Sequence, residues 1–383
     1  MTPAAIIFIL ALTVLAGSYF AYPLTMYFLQ LLAGRRGPLK EYYPSLVLIT
    51  SICDEEETVI AETLKNRLRL KYPKDKVSYL FVADGSPVEL INTIKSVNCE
   101  KVAVYQTAGR IGKTAALNRA IPSLDSELVV FSDANSHYDR EALVKLARHF
   151  EDPAIGGVCG ELRYVEGEVT DMSGPVSGIY MYYEKIIKQA ESAVSTLTIF
   201  NGAIYAIRKS LHREMNPQAA NDFQHPVQIV LQGCKSLYEP EAVAFEKSVT
   251  SDLVEFKRTV RITSRGWKGL FTYPAILNPF RVGSFSLQFM FRKLLRWLSP
   301  IFLILMLTCS FLLRAESIFL IFLVLQFLFY LAAFLGWVFR RRSFYKPLYF
   351  PYYFCLLNLA ALFGLVNFLA GRNTATWKPT TWC

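Results

Sequence analysis

Three aspartates stand at or just past the end of short apolar runs in the middle of this chain, and they limit its fold more than any other feature. They are Asp84 in Tyr79-Leu-Phe-Val-Ala-Asp84-Gly-Ser86, Asp133 in Leu128-Val-Val-Phe-Ser-Asp133-Ala-Asn135, and Asp222 in Asn221-Asp222-Phe223. An acidic side chain just beyond the carboxyl end of a buried parallel strand sits in the crevice where open α/β sheets bind ligands. Ser45 to Ile52, Val77 to Ala83, Lys101 to Tyr105 and Glu127 to Ser132 read as strands, with helices at Glu55 to Leu70, Val88 to Ser96 and Thr114 to Ala120 between them. That alternation predicts an α/β fold with a mostly parallel sheet and right-handed crossovers. Beyond Asp139 a helix from Arg140 to Phe150, a strand from Gly156 to Tyr164 and a helix from Ser177 to Ser192 are expected to complete the sheet and build the acceptor side.

The rest of the chain is of another kind. Of 383 residues 53% are hydrophobic, too many for an ordinary soluble protein, yet 19% are charged, too many for one buried wholly in lipid. Pro3 to Leu32 is almost uncharged and exceeds the ~20 residues that cross a bilayer as a helix. It lacks the basic start and cleavage site of a signal peptide and reads as a retained anchor. Ile301 to Leu313, Ile318 to Phe339 and Leu348 to Ala370 are three further apolar runs. Arg35, Arg36 and the triple Arg340-Arg341-Arg342 place the central domain in the cytoplasm of a multi-pass protein of the inner (plasma) membrane. Four crossings would then export the tail; either that happens, or one run does not cross, and the last, interrupted by Pro351, Asn358 and Asn367, is the candidate.

The expected layout is therefore an anchor over 1–33, a cytoplasmic domain over 42–272, an interfacial amphipathic helix over 280–298, membrane helices over 299–371 and a tail over 372–383. The seven cysteines show no paired spacing, so neither zinc nor a disulfide framework is implied. Much of the net charge of +10 lies beside apolar runs, where it attracts anionic lipid head groups rather than nucleic acid.

Thr107-Ala-Gly-Arg-Ile-Gly112-Lys113-Thr114 ends like a phosphate-binding P-loop, but that motif requires glycine where Thr107 stands. Arg110 and Lys113 read better as cations facing a diphosphate, with Gly112 permitting close approach and Asn118 one turn further on. In Asp133-Ala134-Asn135 alternate residues of an extended chain offer two oxygens about 6 to 7 Å apart. Such a pair suits Mg2+ or Mn2+, which take few carboxylates and complete their shell with phosphate oxygens; His137 is an additional ligand candidate.

The order of Ser51-Ile-Cys-Asp-Glu55-Glu56, Asp84-Gly85-Ser86, Arg110-x-Gly112-Lys113 with Leu117-Asn118, and Asp133-Ala-Asn135 resembles the family 2 glycosyltransferases, whose fold is termed GT-A. Gly160-Glu161-Leu162, Tyr183-Glu184, Asn201-Gly202-Ala203, Asn221-Asp222 and Tyr238-Glu-Pro240 extend the likeness to the membrane-bound, cellulose-synthase-like branch. The resemblance spans roughly Leu46 to Trp267. It implies that Asp84, with Ser51, Glu55, Arg110 and Lys113, binds the nucleotide, typically through uracil, that Asp133 and Asn135 hold the metal, and that Asp222 is the catalytic base. Glu161 and Glu184 are the substitute base candidates; with Gly202, Arg265 and Trp267 they are expected at the acceptor or diphosphate.

Two departures stand out. Asn135 replaces a second acidic residue of the metal motif, and Arg261-Ile-Thr-Ser-Arg265-Gly266-Trp267 stands where processive members carry Gln-x-x-Arg-Trp. The expected activity is inverting transfer from a UDP-sugar to a hydroxyl of a lipid-linked or growing glycan, with a homo-oligomer or export partners as further options. A polyprenyl-phosphate sugar synthase, a P-loop NTPase and a non-enzymatic nucleotide-sensing membrane protein are the alternatives.

Overall fold

The computed structural model describes residues 2–34, 37, 39–165, 174–247, 251–339 and 346–372, with the side chains of 174–180 and 346 excepted. Arg35, Arg36, the triple arginine and most of the tail lie outside the described residues.

The strands are β1 (Leu46–Ile52), β2 (Val77–Ala83), β3 (Val102–Gln106), β4 (Leu128–Asp133), β5 (His137–Tyr138), β6 (Ile155–Val165), β7 (Tyr205–Arg208) and β8 (Lys235–Lys247). They form one sheet in the order β3-β2-β1-β4-β7-β6-β8-β5. β3, β2, β1 and β4 run parallel, β7 reverses direction beside β4, and β6 pairs parallel with β8. Alternate residues of the same strands serve two cores: Leu46, Leu48, Leu128 and Val130 on one face, Val47, Ile49, Val129 and Phe131 on the other. Apolar cover on both faces is why these runs read as continuous rather than alternating.

β5, β7 and β8 are the strands that the sequence pattern does not announce. β8 contains Glu239-Pro240-Glu241, which looks like a loop, but the register jumps from Gly160↔Glu239 to Glu161↔Val243. The proline therefore falls in a bulge where no ladder hydrogen bond is needed. Helix Asn221–Leu231 and helix Asp252–Thr272 complete the domain.

Among the described residues four helices are long and apolar enough to cross a membrane: Pro3–Leu32, Ser284–Leu312, Ser317–Val338 and Pro347–Leu369. The expected interfacial helix and first C-terminal run are continuous in Ser284–Leu312, which carries Pro300 within it; the break falls earlier, at Gly283 with φ +61°. Helix Ser284–Leu312 leads away from Trp297 and helix Ser317–Val338 returns. Pro347–Leu369 starts beside the end of the returning helix, where a Cβ on Gly336 would lie 2.6 Å from the Leu348 carbonyl oxygen. It then follows helix Asp252–Thr272 along its length: Tyr352 donates to Asp252 (3.0 Å), Phe363 packs on Phe256, and Gly364 lets the backbone reach Val260 and Thr263. It ends with Phe368 against Trp267, which itself meets Trp297.

Both ends of this last helix thus lie against the domain. A tag cleavable by protease after Cys383 and another inserted at Lys40 should therefore be cut from the same side of sealed vesicles. Cleavage from opposite sides would mean that Pro347–Leu369 crosses the bilayer.

Candidate active site

β1 and β4 end together, Ser51 pairing with Asp133 across the ladder, so a buried serine stands beside the acidic strand end. The chain then turns, with the Ser136 N–H donating to the Asp133 carbonyl (3.3 Å). Asp133 and Asn135 are therefore not held in the extended spacing expected from sequence. Arg67, wholly buried on helix Glu57–Leu68, fixes this turn by donating to the Ser132 hydroxyl (2.6 Å) and the Ser136 carbonyl (2.8 Å). Burial lowers its pKa to about 10, and its guanidinium also lies 4.5 Å from the centre of the Tyr138 ring. Asn135 is half-buried and makes no hydrogen bond among the described residues.

Asp84 follows β2 and is buried. Its carboxylate accepts from the Ile111 and Gly112 backbone N–H groups, each at 2.8 Å, while Thr107 donates to it at 3.3 Å. These amides would have to point at phosphate in a P-loop; here they are turned onto a carboxylate, which removes the P-loop alternative. The approach is so close that a Cβ on Gly85 would meet the Arg110 backbone nitrogen at 2.7 Å, and Gly85 has φ +65°, so glycine is required on both counts. The loop delivers Lys113 to Asp133 as an ion pair through Oδ1, whereas Arg110 pairs with Asp54. Asn118 braces the far side through Met215 rather than facing the site. Glu55 closes over the same space, accepting from the Cys53 N–H (2.6 Å); burial pushes its carboxyl pKa up, and Asp133 adds to that.

Asp222 lies in the first turn of helix Asn221–Leu231, but Ala220 occupies the capping position and no side-chain cap bond is made. Among the described residues no side chain hydrogen-bonds its carboxylate. Its environment is decided at Gly202: a Cβ there would lie 3.5 Å from Asp133 Oδ2 and 3.6 Å from Asp222 Oδ2. The two carboxylates therefore face one small space that exists because residue 202 has no side chain. Burial pushes the Asp222 pKa up and Asp133 adds to it, while Lys113 and Arg265 pull it back.

Arg265 is buried, donating to Thr114 (3.0 Å) and to the Ala219 carbonyl (2.8 Å), with Nε unpaired. Burial lowers its pKa to about 10, and Asp222 opposes that. Two further groups were not singled out from sequence. Arg261 lies where Asp133 and Asp222 both act on it, and it makes no hydrogen bond or ion pair among the described residues. Glu246 on β8 accepts from Ser136; burial and then Asp133 raise its pKa. The spacing of Arg258, Arg261 and Arg265 was the available signal, since residues three and four apart share a helix face.

Three expected contacts lie elsewhere. Trp267 is buried in an aromatic cluster with Trp297 and Phe368 and is not a sugar platform; it is two residues from Arg265, about 200° around the helix. Glu184 is held by Arg292 (3.0 Å) and Arg296 (2.9 Å); although burial alone would raise its pKa, these arginines keep it well below the usual carboxylate range, which disqualifies it as a base. Glu161 is buried, accepts from Tyr238 and faces Lys188 at 3.5 Å.

Residues 47–214 match Glycosyl transferase family 2. The poly-beta-1,6-N-acetyl-D-glucosamine synthase of Staphylococcus aureus (strain COL) is 27% identical over 202 residues, covering 50% of this chain and 48% of that protein. The probable glycosyltransferase YdaM of Bacillus subtilis (strain 168) is 22% identical over 237 residues, covering 59% and 56% respectively. The chain thus spans about half the length of the curated relatives it matches. Among solved structures, the mannosyltransferase PcManGT from Pyrobaculum calidifontis in complex with GDP-Man and Mn2+ superposes with a TM-score of 0.70 at 18% identity, over 96% of this chain and 99% of the other. With the sheet order, the acidic strand ends and the membrane-length helices already in place, these likenesses support a family 2 glycosyltransferase domain over residues 47–214, with the GT-A fold.

Proposed function

We propose that this protein transfers a sugar from a nucleoside-diphosphate sugar to an acceptor hydroxyl at the cytoplasmic face of a membrane, with inversion at the anomeric carbon. The observation that carries this reading is the convergence of Asp133 and Asp222 on the space above Gly202. Asp222, raised in pKa and without a side-chain hydrogen bond among the described residues, takes the proton of the acceptor hydroxyl as its oxygen attacks the anomeric carbon. The bond to the diphosphate breaks on the opposite side, and its electron pair leaves with the phosphate oxygen. An α-linked donor thereby gives a β-linked product. Lys113, Arg261 and Arg265 supply positive charge where that diphosphate accumulates negative charge.

Among the described residues no three His, Cys, Asp or Glu side chains converge as a closed cage. The set fits a hard cation, Mg2+ or Mn2+, that Asp133 with Asn135 would hold and that draws its remaining ligands from phosphate and water. Such a cation would offset charge on the leaving group. The resemblance of the motifs supports a UDP-sugar, with Asp84, Ser51 and Glu55 beside the nucleotide. A lipid-linked saccharide or growing glycan is the acceptor class, in keeping with the polymer named for the staphylococcal relative.

In detergent with Mn2+ and membrane extract, release of UDP from one of a panel of UDP-sugars is expected, and chelation should abolish it; release of GDP from GDP-mannose alone would reassign the donor. Asp222→Asn should lower kcat by about 10²- to 10⁴-fold. With its pKa raised in the fold, Asp222 costs stability progressively as pH climbs from the ordinary carboxylate range to the raised folded value, and the full cost stands above it, so the same variant should melt higher at neutral pH. Wild-type turnover should fall as pH drops through that raised pKa. A phosphate acceptor is already ionised, so full turnover by Asp222→Asn would favour the polyprenyl-phosphate alternative. Gly202→Ala places a methyl at ordinary contact distance from both carboxylates, so its thermal midpoint should be nearly unchanged while kcat falls on the order of a hundredfold.

A further inference from the structure

Glu191, near the end of helix Gly174–Val194, is completely buried and is bonded from three separate parts of the chain. Oε1 accepts from the hydroxyl of Tyr22 in the first membrane helix (2.5 Å). Oε2 accepts from the Thr198 N–H (3.1 Å), the Thr198 hydroxyl (2.9 Å) and the guanidinium of Arg292 in helix Ser284–Leu312. Arg292 is as buried as its partner, and its other terminal nitrogen reaches Glu184, which Arg296 also binds. Both membrane helices widen into a π turn where they meet this cluster, at Gly17–Ala21 and at Met290–Leu294. Turns of that kind recur at functional positions in helices.

The other end of the arrangement is the active site. Two residues after Thr198, the Phe200 N–H donates to the Asp222 carbonyl (3.2 Å). Asn201 then locks the chain, donating to the Gly160 carbonyl (2.8 Å) and accepting from the Ile204 N–H (2.9 Å), and Gly202 follows directly between the two carboxylates. One short segment therefore carries the Glu191 contact, a bond to the base residue and the glycine that makes room for chemistry.

We propose that Glu191 is a positioning residue that links the seating of the first membrane helix and of helix Ser284–Leu312 to the placement of Asp222 and Gly202. The proposal rests on the assignment of Asp222 as base. A brace serving stability alone would need no connection to the 198–202 segment, and a buried ion pair is in any case weak evidence of net stabilisation.

Removing Glu191 would leave Arg292 buried without its partner and risks misfolding, so the test uses its neutral partners in the full-length protein reconstituted in vesicles. Thr198→Val deletes one hydrogen bond to Oε2, and Tyr22→Phe deletes the bond from the first helix; both keep the buried Glu191–Arg292 ion pair intact. Each is expected to reduce kcat for nucleotide release at least about tenfold with donor KM within about twofold, as misplacement of a reacting group does. Thr198→Ser, which restores the hydroxyl, should recover turnover. Unchanged kcat in both deletions, loss of thermal stability with kcat retained, or no recovery in Thr198→Ser would each overturn the positioning role. Asp222→Asn at full turnover would instead strike the base assignment, and wild-type protein releasing no nucleotide from any donor would remove the transferase reading and this one with it.

Discussion

Two carboxylates facing one point repel each other, and the architecture around the site can be understood as the means of holding them there. Asp133 arrives at the end of a fully buried strand, and Asp222 arrives in the first turn of a helix, where the partial positive charge of the backbone favours an anion. Lys113 takes one oxygen of Asp133, leaving the other turned to the shared space, and Arg265 stands within reach of Asp222. Glycine at 202 is the steric counterpart of this electrostatic arrangement. Any side chain there would occupy the space that both carboxylates face.

The cations are held as firmly as the anions. Asp84 turns the 107–112 loop by binding two of its amides, and that loop begins the helix bearing Lys113. Arg67 supports the turn after β4 from beneath, through hydrogen bonds to groups that flank Asp133. Preorganised charges of this kind require little rearrangement when a diphosphate develops negative charge. Asp84 thus contributes to the geometry of the cationic loop whether or not it also meets a base.

What was legible in the sequence was local. β1 to β4 carry continuous apolar runs ending in Asp84 and Asp133, and both runs are strands with their aspartates at the carboxyl edge. The residues that escaped notice depend on pairing across long stretches of chain. Glu246 reaches the site because β8 lies between β6 and β5, and β8 was hidden by Pro240 in its bulge. Trp267 was misplaced for a geometrical reason: on a helix it cannot share a face with Arg265, whereas Arg258 and Arg261 can. Glu184 looked available because its partners, Arg292 and Arg296, lie more than a hundred residues further on in a stretch that reads as membrane-interface sequence.

Asn135 acquires a physical rationale from the same charge arrangement. Asp133, Asp222, Glu246 and Glu55 already crowd this end of the sheet, and Asp133 raises the pKa of each of the other three. A further carboxylate at 135 would add repulsion that only Lys113 and the arginine stripe could offset. An amide keeps an oxygen at that position without adding charge. The positive groups left on helix Asp252–Thr272, above all Arg261, which makes no ion pair among the described residues, are then not spent on neutralising one more acid of the protein itself.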